Sequence, residues 1–146
     1  MSSAASESFI AIAQSIATDA HRGQVDKLGA DCIDHHRRVA ERLSDPLEQA
    51  TAWLVDVLDD TDITRHDLLA RGIPGGVVTA VEALTRTDDV SSDDEYYAAI
   101  RENPIALAVK RADIADNSEP WRVEQLDFSV RESLALKNEA ALAALG

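Results

Sequence analysis

Between Phe9 and His21 the apolar residues Phe9, Ile10, Ile12, Ala13, Ile16, Ala17 and Ala20 recur at helical spacing, and Gly23 ends the run. Residues 1–7 read as a small polar tail ahead of it, with Ser6 or Ser8 as the N-cap. Gly23 to Asp31 reads as a loop, and a second helix begins near Ile33, carrying His35, Val39, Ala40 and Leu43. Ser44-Asp45-Pro46 closes it and opens a third, with Pro46 suited to a first helical turn. That third helix is predicted from Leu47 through Trp53 to Leu58. Thr64 caps a short helix ending near Leu69, and Gly72-Ile73-Pro74-Gly75-Gly76 interrupts before Val77 to Thr85, with Val78, Val81 and Leu84 on one face. Arg86 to Ser92 is a polar loop before a helix holding Tyr96, Tyr97 and Ile100. Asn103-Pro104 opens a mostly apolar helix from Ile105 to Asp116, Glu119-Pro120-Trp121 turns, and Val130 to Leu145 is a terminal helix. No alternating run competes as a strand, so the prediction is an all-α bundle in one domain covering 1–146.

Composition agrees with this pattern. Aromatic residues are only 4% of the chain and Ala and Leu dominate, which favours packed helices over strands. A length of 146 residues suits one ordinary core. The single Cys32 excludes an internal disulfide framework, making a cytoplasmic location the expectation. The first twenty residues lack a signal-peptide pattern, and no apolar stretch is long enough to span a bilayer. A formal net charge of -13 argues against nucleic-acid and anionic-membrane partners. It also disfavours phosphate ligands unless a cation or local Arg and Lys residues invert the field.

Candidate chemistry lies in Ala52-Trp53-Leu54-Val55-Asp56-Val57-Leu58-Asp59-Asp60-Thr61, where carboxylates are embedded in an apolar run. A buried ionised carboxylate needs a partner to offset its desolvation. At about 3.6 residues per turn, spacings of three and four put Asp56, Asp59 and Asp60 on one helix face. A solvated acidic helix end explains the same residues. Asp113, inside an apolar helix, also needs a partner; Lys110 is three residues away, and an alternative is a shared divalent cation held by His35, Asp56 and Asp113 from three helices. His36 cannot join His35 at one site, because adjacent helical residues diverge by ~100°. His66-Asp67 reads as surface capping.

Taken in order, Ala20-His21-Arg22-Gly23-Gln24, Ile33-Asp34-His35 with Val39-Ala40, the acidic stretch, Leu84-Thr85-Arg86, and Val109-Lys110-Arg111-Ala112-Asp113-Ile114-Ala115-Asp116-Asn117 resemble the HD-domain phosphohydrolases. The resemblance is to the small alarmone hydrolases related to the hydrolase domain of RelA/SpoT-type proteins, and it runs from about Phe9 to Leu145. It implies an all-helical domain that holds Mn²⁺, or another divalent cation such as Mg²⁺, and hydrolyses the pyrophosphate of ppGpp. It places metal ligands on His35, Asp56 and Asp113, an acidic catalytic pair on Asp59 and Asp60, and substrate contacts on Lys27 and Asn117. His21 matches a first-helix histidine with a pocket or packing role.

Several positions depart from the family pattern. Val55 stands where the family has the histidine of its His-Asp pair, Asp59 replaces a glutamate, Cys32 a tyrosine, His36 a proline, and Asp26 a basic residue. Two functions follow: a phosphohydrolase with an impaired metal site, or a catalytically inactive HD scaffold that binds a nucleotide or a protein partner.

Overall fold

Asp45 starts the helix at the centre of the molecule. In the computed structural model, which describes residues 3–25, 32–85, 93–124 and 126–145, its carboxylate accepts hydrogen bonds from the backbone N–H groups of Leu47 and Glu48 at 2.8 and 3.3 Å. Pro46 fills the first helical position, where no N–H is needed. The resulting helix α3 (Pro46–Leu54) is buried over its whole second half, Ala50 to Leu54. Helix α1 (Ser3–Ala20) packs on it through Phe9, Ala13, Ile16 and Ala17, all buried at the spacing the sequence predicts. Its start at Ser3 corrects the seven-residue tail; Ala and Glu favour helix, so the periodic segment extends backwards.

Helix α2 (Cys32–Glu41) lies against α3 through Val39 and Ala40. The predicted third helix is not continuous to Leu58. It stops at Leu54, Val55 takes an extended ψ of 137°, and Asp56 adopts left-handed backbone with φ 74°. A separate turn, α4 (Val57–Asp60), follows. Asp56 therefore precedes a new helix, and the one-face spacing argument for Asp56, Asp59 and Asp60 does not hold across the break. Helix α5 (Arg65–Ala70) opens with a capping box: Thr64 accepts from the Asp67 N–H, and the Asp67 carboxylate accepts from the Thr64 N–H. The capping role expected of His66-Asp67 is thus carried by Asp67.

Helix α6 (Gly75–Leu84) buries Val77, Val78, Val81 and Leu84 against α3 and the later helices. The Tyr96 hydroxyl of α7 (Asp93–Glu102) donates to the Leu84 carbonyl at 2.9 Å, tying α7 to the end of α6. Helix α8 (Pro104–Asn117), capped by Asn103 onto the Ala106 N–H at 3.0 Å, packs on α2, α3, α6 and α7. A short turn, α9 (Pro120–Val123), leads to α10 (Phe128–Leu145), which leans on α7 and α8. The structure is one all-helical domain, and no strand occurs among the described residues. No described helix is long and apolar enough to cross a membrane.

Candidate functional site

The facing sides of α2 and α8 carry oppositely charged residues at the same interval. His35 and Arg38 lie three apart on α2, and Asp113 and Asp116 lie three apart on α8, so each pair occupies one helix face. Packing α2 on α8 brings the four together. His35 Nε2 is 2.6 Å from Asp113 Oδ1, and its Nδ1 is 2.6 Å from Asp116 Oδ2. Carboxylate oxygens face both ring nitrogens, an arrangement that favours the imidazolium, in which both nitrogens donate. Arg38 donates from Nε to Asp116 Oδ1 at 3.0 Å and from its terminal nitrogen to Oδ2 at 3.3 Å. Its guanidinium also lies over the Trp121 ring, 5.1 Å from the centroid. Lys110 Nζ is 3.7 Å from Asp113 Oδ2, so the pairing read from sequence exists, alongside the shorter bond from His35.

Burial opposes the charged form of each group, and pairing outweighs it. The bonds and charges of Asp113 and Asp116 raise the His35 pKa above its ordinary value despite burial. Burial alone would push the Asp113 carboxyl up, but His35 and then Lys110 hold it below the usual range. Asp116 is likewise lowered against its desolvation by the hydrogen bonds from Arg38 and His35. The Lys110 ammonium is held above its ordinary value, mainly by Asp113, with Asp56 among the weaker contributors. In a chain of formal charge -13, this seam concentrates three cationic side chains around two carboxylates.

His36 points elsewhere, as its position one residue along the helix requires. It is 5% exposed and stacks on His21, with centroids 4.5 Å apart and planes 16° from parallel. Its Nδ1–H donates to the Ala52 carbonyl at 3.1 Å. The break at Asp56 explains that acceptor: α3 ends at Leu54, so its last carbonyls lack helical partners and His36 takes one. His21 is 2% exposed, with Nδ1 3.0 Å from Gln24 Oε1. Its Nε2 is buried with no hydrogen-bond partner among the described residues. The expected packing role of His21 agrees with this position.

Of the predicted metal ligands, His35 and Asp113 are in direct contact, and Asp56 lies near enough to act on the Lys110 charge. His35 Nε2 and Asp113 have the donor chemistry for a divalent cation, and the second carboxylate on Nδ1 is the usual orienting partner of a ligating histidine. These two donors fit. No group of three His, Cys, Asp or Glu side chains able to hold an ion is assembled among the described residues, so water or a bound ligand would fill the other positions. Val55 is half-buried and packs against the core. Asn117 is half-buried at the end of α8. The side chains of Asp59, Asp60 and Cys32, and the whole of Lys27, lie outside the described residues.

Sequence reasoning missed Asp116, Arg38 and Trp121. The matched three-residue intervals of basic and acidic residues on two helices were the available signal, but it becomes meaningful only once those helices are known to face each other. No family model matches this chain, and no curated protein matches it.

Proposed function

We propose that this chain is an HD-type phosphohydrolase domain, similar to ppGpp pyrophosphohydrolases, whose metal site has been weakened by the valine at position 55. One contact carries the reading: His35 spans from α2 to α8 with one nitrogen on Asp113 and the other on the buried Asp116. His35 and Asp113 would hold Mn²⁺, or Mg²⁺, with water or a bound ligand in the remaining positions; Asp56, expected from the sequence as a third ligand, is near Lys110 but not grouped with them. When bound, such an ion polarises a phosphoryl oxygen and lowers the pKa of its water. Asp59 and Asp60 would hold or move the proton of that water. Lys27 and Asn117 would contact the nucleotide. Arg38 and Lys110 locally offset the acidic field that would otherwise repel a phosphate-rich ligand.

A second reading, an inactive HD scaffold that binds a nucleotide or a protein partner, is favoured by the closed His35–Asp113 bond and by Val55. Mn²⁺ binding, nucleotide binding and ppGpp turnover measured on wild type and Asp113→Asn separate the two. The hydrolase reading expects slow, Mn²⁺-dependent release of pyrophosphate that Asp113→Asn abolishes. Nucleotide binding with no turnover at saturating Mn²⁺ would assign the chain to the scaffold class.

A further inference from the structure

We propose that Asp116 is the positioning residue of this site: it decides which ring nitrogen of His35 carries the proton, and so leaves the lone pair on the side of Asp113. The inference rests on the cation reading above and adds a residue to it.

Asp116 is 1% exposed and sits one turn beyond Asp113 on α8. Its two oxygens take three donors. Oδ1 accepts from Arg38 Nε, and Oδ2 accepts both from the Arg38 terminal nitrogen and from His35 Nδ1. A carboxylate held by a planar guanidinium fork cannot rotate without losing one of two parallel bonds. The fork is itself backed by the Trp121 ring. The column Trp121, Arg38, Asp116, His35 thus aims a fixed acceptor at Nδ1.

The consequence concerns the neutral ring. A neutral imidazole keeps one proton, and the nitrogen without it is the one able to bind a cation. With Nδ1–H committed to Asp116, the free lone pair belongs to Nε2, on the Asp113 side. Without Asp116, Asp113 is the one remaining carboxylate on the ring; the proton moves to Nε2, and the lone pair turns away from the site. Asp116 therefore acts through His35, and Arg38 acts through Asp116.

The test is long-range ¹H–¹⁵N correlation spectroscopy of histidine-labelled protein without metal, at a pH where the His35 ring is neutral. It is paired with Mn²⁺ binding followed by electron paramagnetic resonance. Wild type should show His35 as the Nδ1–H form. Asp116→Asn, nearly equal in volume, should show Nε2–H and bind Mn²⁺ about 10- to 100-fold more weakly. Arg38→Met, at a half-exposed position, is the second variant should Asp116→Asn fail to fold; it should give a mixture of the two forms. A ring that stays Nδ1–H in either folded variant overturns the positioning role, whatever the metal does. A wild-type protein that shows the Nδ1–H form, loses it on Asp116→Asn, and yet binds no Mn²⁺ upholds the role of Asp116 and overturns the cation reading instead.

Discussion

His35 and His36 are neighbours in sequence, yet they belong to two regions with opposite electrostatics. His35 faces α8, where two carboxylates favour its charged form. His36 faces α1 and α3, where it meets a second imidazole and a single carbonyl. Both are substantially removed from water. Burial raises the cost of charge for both, but only one is given compensation. For His36, burial and then the neighbouring His21 lower the pKa from 6.5 to about 4, while His35 is raised. Desolvation thus sets the cost of a charge in this core, and the opposite face of the helix decides whether it is met.

The two regions respond to pH in opposite ways. His35 has a raised folded pKa, so its contribution is full below the ordinary histidine value and is lost as pH rises through the folded one. His36 has a depressed folded pKa: the native state excludes a proton that the unfolded chain accepts. Its cost is absent above 6.5 and grows as pH falls toward about 4. Asp113 and Asp116, both lowered, contribute above the ordinary carboxylate value and lose that contribution as pH falls through their folded pKa values.

Breaking the charged region should have the largest effect. Asp116→Ala leaves His35 and Arg38 without their shared acceptor and should cost about 4 kcal/mol in urea unfolding. A loss below about 1 kcal/mol would place this seam with solvated surface pairs. The buried stack is tested by acid. Unfolding free energy should fall by about 3 kcal/mol through His36 as pH is lowered from 6.5 to about 4. His36→Leu should flatten that limb while leaving the carboxylate-dependent loss at lower pH; an unchanged slope would mean that His36 is not the group being protonated.

Smaller changes sharpen the charged side. Val55→His should raise Mn²⁺ affinity at least tenfold, about 1.4 kcal/mol, by adding a ligand next to Asp56. Binding equal to wild type would show that position 55 turns into the core against which Val55 packs. At Asp56, whose φ is 74°, Asp56→Gly should be more stable than Asp56→Ala by about 1 kcal/mol in thermal melts. Both remove the carboxylate, and only glycine adopts left-handed backbone without strain. Equal melting temperatures would show that the backbone relaxes on substitution.

Local chemistry made much of this molecule legible from sequence. Phe9, Ala13, Ile16 and Ala17 announced a buried helix face, Asp45-Pro46 and Asn103-Pro104 marked helix starts, and Thr64 with Asp67 closed a capping box. Each depends on residues within a few positions of one another. The left-handed turn at Asp56 was not legible, because the apolar run on both sides continues at helical spacing and asparagine or glycine, the usual markers of such a turn, are absent. His35, Asp56 and Asp113 were named from sequence, but the partner that orients His35 was not. Asp116 looks like one more acidic residue near a helix end until α2 lies against α8. Tertiary packing alone decides that contact, because His35 and Asp116 are 81 positions apart, and the energy of a buried charge depends on what the other helix presents to it.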